Sequence, residues 1–121
     1  MNFRDETLWA IEESEHKEQD VLFVGSRDGR YRISIEKFKE LANFEYNDGF
    51  GGQEIASDLI VYFKDKTYLY RREYDGSEWW EYLRPLNYSE NDEYKSFSRL
   101  KAEIGWETVA EINEGKQGEG E

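Results

Sequence analysis

The stretch from Asp58 to Arg84 places the tightest limit on how this chain can fold. Three strand-like runs, 58–64, 67–74 and 77–84, are rich in β-branched and aromatic residues and are separated by Asp65-Lys66 and Asp75-Gly76. Runs of this kind do not build one apolar helical stripe, and an Asp-Gly pair between two of them is a strong hairpin signal. The segment is expected to form a three-stranded antiparallel meander that stops at Pro85, the only proline. With two-residue loops at both turns, Val61 faces Tyr70 and Arg71 faces Trp80. One face then carries Leu59, Val61, Phe63, Tyr68, Tyr70, Arg72, Trp79, Glu81 and Leu83. The other carries Ile60, Tyr62, Leu69, Arg71, Trp80, Tyr82 and Arg84. The first face is richer in aliphatic residues and is expected to meet the core. The second is either covered by a terminal segment or left in part as an exposed aromatic-arginine patch, a composition found at interface hot spots.

The rest of the chain supplies more elements of the same two kinds. Residues 1–20 read as a short helix with Asp5 as N-cap and Leu8, Ile11 and Trp9 on its apolar side. Val21–Gly25 and Arg30–Ile35 flank a turn at Ser26-Arg27-Asp28-Gly29 and form a second hairpin. A helix is expected from 35 to 44, capped by Ser34, with Ile35, Phe38, Leu41 and Ala42 on one side. Residues 45–57 read as a glycine-rich loop, 91–103 as a third helix, and 106–112 as either helix or strand. The fold class is therefore α+β: an antiparallel sheet of about five strands, in two hairpin-linked groups, with two to three helices. At 121 residues the chain is read as one domain over 1–113, with a disordered acidic tail over 114–121.

Charge and aromatic content together narrow the function. The formal net charge is -12, and aromatic residues make up 17% of the chain. Disordered acidic chains are poor in aromatics, so this one is expected to fold. Its charge repels phosphates, which argues against binding nucleic acid or an anionic membrane directly and favours a basic partner. The acid is uneven: residues 1–20 hold seven carboxylates against Arg4 and Lys17, and 86–121 hold nine against four bases. There is no cysteine, which excludes disulfides and thiolate metal sites. No leader peptide or spanning segment is expected, because the longest apolar run, Leu59–Phe63, is short.

Tyr46–Val61 (YNDGFGGQEIASDLIV), Glu73–Tyr82 (EYDGSEWWEY) and the opening Asp20–Ser26 resemble a pattern in small, mostly uncharacterised phage and prophage proteins of Gram-positive bacteria. The resemblance spans about residues 18–84. It implies a phage origin and action in the host cytoplasm, and it carries no catalytic residues. The region before the last hairpin is richer in tyrosine here, and the acidic extension 86–121 lies beyond the shared pattern. Small acidic phage proteins of this size include inhibitors of host defence nucleases, the anti-CRISPR and DNA-mimic proteins among them. That likeness is one of size and charge.

Catalytic chemistry finds little support. His16 is the only histidine, and Glu12, Glu13, His16 and Asp20 are a weak metal-ligand candidate because such stripes are common on charged helices. The Gly49-Phe50-Gly51-Gly52 run has no lysine after it and reads as a tight loop, not a phosphate cradle. No cofactor and no enzyme activity are expected. The leading expectation is a cytoplasmic inhibitor that binds a basic host protein, a nucleic-acid-binding nuclease in particular. Its contacts are expected from Tyr46, Asp48, Phe50, Glu54, Arg71, Glu78, Trp80, Tyr82, Glu103, Glu107 and Glu111. The alternatives are a phage accessory module that binds another phage protein and a carboxylate-based metal-dependent hydrolase.

Overall fold

A computed structural model describes residues 1–47, 49, 52–83 and 88–115, with Leu83 and Gly115 described by backbone alone. One antiparallel sheet forms the scaffold. Its strands are β1 (Val21–Ser26), β2 (Arg32–Ile33), β3 (Leu59–Phe63), β4 (Tyr68–Tyr74) and β5 (Ser77–Leu83), in the spatial order β2-β1-β3-β4-β5. Two α-helices accompany it, α1 (Phe3–Glu13) and α2 (Ile35–Leu41), with a 3-10 turn at Glu18–Asp20 and a π turn at Glu111–Gly115. The expected α+β class and strand set are present.

Local chemistry explains the element ends. The Asn2 side chain, not Asp5, caps α1 by accepting the Asp5 N–H, and Ser34 caps α2 by accepting the Lys37 N–H. A bulge at Leu22 lets Val21 and Val24 both point to the helix side of the sheet. Gly25 is required by close approach, since a Cβ there would lie 1.8 Å from the Tyr31 carbonyl oxygen.

The main core lies between the sheet and the two helices. Phe3, Ile11 and Phe38 meet Val24, Leu59, Val61, Phe63, Leu69 and Trp80 there, joined by Leu100, Val109 and Ile112 from the C-terminal segment. A smaller cluster of Phe23, Ile60, Tyr62 and Tyr68 occupies the opposite side.

Two expectations about this core are corrected. Val61 pairs with Leu69, not Tyr70, while Arg71 does pair with Trp80. The cause is a three-residue loop at Lys64-Asp65-Lys66. Phe63 donates to the Thr67 carbonyl, and Lys66 takes φ 76°, so β3 slips by one residue against β4. The slip puts Leu59, Val61 and Phe63 on the side of Leu69, Arg71 and Trp80, which becomes the main core face. Arg71 and Trp80 of the expected aromatic-arginine patch are therefore interior, while Tyr82 of the same face stays on the surface and Arg84 lies outside the described residues.

The expected helix over 91–103 is the second correction. That segment runs extended, with bridges from Lys95 to Tyr31 and from Lys101 to Ile55. Its backbone bonds go to other elements: Lys95 exchanges bonds with Arg30 and Arg32, and Leu100 accepts from Ala56. Arg32 pins the neighbouring residues, donating to Ser89 O and Asp92 while its guanidinium lies 4.4 Å from the Phe23 ring centroid. Residues 116–121 of the expected tail lie outside the described residues. Glu114 is held by Lys95 at 3.1 Å, so the folded part reaches it.

Lys66 occupies a left-handed conformation that costs a non-glycine residue about 1 kcal/mol. Lys66→Gly is expected to leave the sheet unchanged and to raise unfolding free energy in urea by roughly 0.5 kcal/mol. Gly25→Ala should lower it by roughly 1–3 kcal/mol.

Candidate functional site

The register slip carries β4 and β5 side chains beneath α1, where they form a buried ionic cluster. The Arg71 side chain is fully buried. Its Nη2 donates to Glu78 Oε1 at 2.9 Å and to the Tyr46 hydroxyl at 3.0 Å, and its Nη1 lies 3.4 Å from Glu6 Oε2. Tyr46 in turn donates to the other Glu6 oxygen. Glu78 also accepts the Glu54 and Ile55 backbone N–H groups, at 2.6 and 3.3 Å. The guanidinium is packed among aromatic rings, 4.8 Å from the Trp80 centroid and 5.2 Å from that of Phe3. Trp80 completes the arrangement by donating its indole N–H to Thr7 on α1 at 2.8 Å.

Burial pushes the Glu78 carboxyl above the ordinary carboxylate range, opposed by the Glu54 N–H and by Arg71. Burial also raises the Tyr46 phenol, so its proton stays available to Glu6. One atom of the cluster, Arg71 Nε, has no hydrogen-bond partner among the described residues. This chemistry is structural: it joins α1, the 45–55 loop and the last hairpin.

Four of the side chains expected to touch a partner, Tyr46, Arg71, Glu78 and Trp80, are thus internal. Each is matched to another group of the same chain, and none is displayed. Glu54 lies half-buried, 3.8 Å from Lys101. Glu103 pairs with Arg99, and Glu107 accepts the N–H groups of Ile104 and Gly105. Glu111 and Thr108 form a reciprocal capping box. Asp48 and Phe50 lie outside the described residues. Tyr82 alone of the expected aromatics is on the surface among the described residues, 46% exposed.

The weak metal-ligand set is dispersed into other duties. His16 stacks on Phe63 at 3.7 Å between centroids, with Nε2 2.8 Å from Asp65 and Nδ1 3.0 Å from the Ser14 hydroxyl. Asp20 accepts the Lys17 N–H. Among the described residues no group of three or more such side chains is placed to hold a metal ion.

The surface above the buried cluster is different in kind. Phe3, Thr7, Ala10 and Ile11 are the buried side of α1, which turns Trp9 outward, 62% exposed. Glu12 and Glu13 lie three and four residues beyond it on the same exposed surface, and Glu15 follows at φ 65°. Tyr82 borders this area through His16, its ring 5.9 Å away. The last turn of α1 has no basic residue, so its carboxylates sit at the negative end of the helix dipole. Glu12, Glu13 and Glu15 form no ion pair among the described residues. Reading Trp9 into the apolar stripe hid this surface in the sequence. The signal that could have found it is the 3, 7, 10, 11 spacing, which leaves 9, 12 and 13 outside.

Comparison with protein-family models, with curated proteins and with solved structures finds no match.

Arg71→Met leaves Glu78 and Glu6 buried without their cation and should cost about 3–5 kcal/mol in urea unfolding. Adding Glu78→Gln, which keeps an acceptor for the two N–H groups, should recover most of that loss. Equal loss in the single and double variants would contradict the pairing. A second prediction concerns acid. Burial works against ionising Asp65, but hydrogen bonds from Thr67 and His16 hold its carboxyl down at about 2. A depressed carboxyl stabilises the fold above its unfolded value of 3.8, and that contribution disappears as pH falls through about 2. Asp65→Asn should therefore flatten the stability curve between roughly pH 4 and pH 2.

Proposed function

We propose that this chain is a non-catalytic binding module that docks the outer surface of α1 onto a basic surface of a nucleic-acid-handling protein and blocks it. The observation that carries this reading is the set Trp9, Glu12, Glu13 and Glu15: an exposed indole among carboxylates that form no ion pair among the described residues and that the helix dipole disfavours. Placing acid there costs the helix stability, and a cation supplied by a partner removes that cost. The net charge of -12 extends the same field beyond contact distance, which speeds encounter with a positively charged surface and makes binding sensitive to salt. Trp9 and Tyr82 supply flat apolar area that can stack on arginine and slow dissociation.

In its most specific form the partner is a host defence nuclease, the blocked surface is its nucleic-acid channel, and the chain is of phage origin and acts in the host cytoplasm. The resemblance of 18–84 to phage proteins and the charge support this form. No helix of the described residues is long and apolar enough to cross a membrane.

The test is inhibition of candidate nucleases, CRISPR effectors first, by purified protein. Wild type is expected to inhibit, and inhibition should fall steeply between about 0.15 M and 1 M salt as exposed charges are screened. Glu12→Gln/Glu13→Gln/Glu15→Gln and Trp9→Ala should each weaken inhibition at least about tenfold, which corresponds to about 1.4 kcal/mol of binding. Full inhibition by the triple variant would refute the proposed surface, and binding indifferent to salt would refute the electrostatic basis.

A further inference from the structure

The loop at Ile104-Gly105-Trp106 has a different character from the acidic surface. Ile104 is 77% exposed and Trp106 58%, two large apolar side chains displayed one residue apart. The backbone beneath them is strained at Trp106, whose φ of 68° is a left-handed conformation that a tryptophan rarely adopts, next to Gly105 at φ 116°, which a glycine takes freely. The strain is held in place from several directions. Glu107 accepts the Ile104 and Gly105 N–H groups at 2.8 and 3.0 Å, Trp106 N donates to Gln53 O at 3.1 Å, and Ser57 N donates to Glu107 O at 2.9 Å. Gly52 lies against this loop, and a Cβ there would meet the Ile104 carbonyl oxygen at 3.2 Å. The chain thus fixes two large apolar side chains in water, with the edge of the Trp106 ring against Gly52.

We infer that Ile104 and Trp106 form a self-association surface, packing against the same two residues of a second copy of this chain across a two-fold axis. Charge selects that occupant. A molecule of net charge -12 repels its own copies over most of its surface. Around these two side chains most of the charge is matched internally: Arg99 pairs with Glu103 and Lys101 with Glu54, which leaves one carboxylate in excess, Glu107, held by the two backbone donors. Two copies meet little net charge here, and here they have apolar area to bury. A basic partner finds one surplus carboxylate at this loop, Glu107, and that one is already held by two backbone donors, so the acidic end of α1 offers it more. A two-fold contact uses the same patch on both molecules, so no second surface is needed.

The inference is independent of the basic partner proposed above, and its salt dependence has the opposite sign. Screening weakens attraction to a basic protein, but it removes repulsion between like-charged copies.

The experiment is sedimentation velocity on the full chain up to about 0.5 mM, at low and at roughly 0.5 M sodium chloride, a range in which even a small interface populates dimers. Wild type should shift from monomer toward dimer with concentration, and more so at the higher salt. Trp106→Asn is the main variant, because asparagine tolerates positive φ and so keeps the loop while removing the indole. It should weaken the association at least about tenfold, with a far-ultraviolet circular dichroism spectrum like that of wild type. Ile104→Ser should act in the same direction and keeps the test decisive if the asparagine variant folds poorly. Trp9→Ala should associate as wild type does. A strictly monomeric wild type at both salts overturns the inference. So does association that survives both loop variants, or association that weakens as salt rises.

Discussion

The organisation of this protein depends on one buried cation. Arg71 has no access to water, and a charge in that position persists only with opposite charges and donors or acceptors arranged around it. Glu78 comes from the next strand, Glu6 from α1 and Tyr46 from the loop after α2, so satisfying Arg71 fixes three separate parts of the chain at once. The rings of Phe3 and Trp80 pack against the guanidinium and exclude water from the same spot. This arrangement accepts one rotation of α1, because only one places Glu6 and Thr7 over their partners.

That constraint also decides what the outside looks like. With Phe3, Thr7, Ala10 and Ile11 committed inward, Trp9, Glu12 and Glu13 have nowhere to go but the surface. The acidic surface and the ionic interior are therefore two sides of one helix. The interior sets Glu6 and Glu78 around one cation, whereas Glu12, Glu13 and Glu15 at the far end of α1 form no ion pair among the described residues. The C-terminal segment contributes differently. Of its glutamates, Glu103 is occupied by Arg99, Glu107 by the backbone donors at Ile104 and Gly105, and Glu111 by the capping box at Thr108.

Much of the scaffold is legible in the sequence, because strands and tight turns are specified by neighbours. The five strands, the Ser34 cap and the pairing of Arg71 with Trp80 follow from spacing and from Asp75-Gly76. The register at the preceding turn does not follow, since nothing local announces that Lys66 will take a left-handed conformation. That one residue reverses which side of β3 meets β4, and with it the fate of Arg71 and Trp80. The 91–103 segment misleads for a related reason: its hydrogen-bond partners are Arg30, Arg32, Glu54 and Ala56, all distant in sequence. Among the expected contact residues, the aromatic and charged types that mark interfaces also build buried ionic clusters, and composition alone does not separate the two uses.

Exchange of the tryptophan indole protons with deuterium, followed by nuclear magnetic resonance, tests this division of inside from outside most directly. The indole N–H of Trp80, bonded to Thr7 beneath α1, should be strongly protected, while those of Trp9 and Trp106 should exchange at once. A rapidly exchanging Trp80 would mean that Arg71 and its partners are open to water, and a protected Trp9 would mean that the acidic side of α1 is not on the surface. Either result would contradict the account.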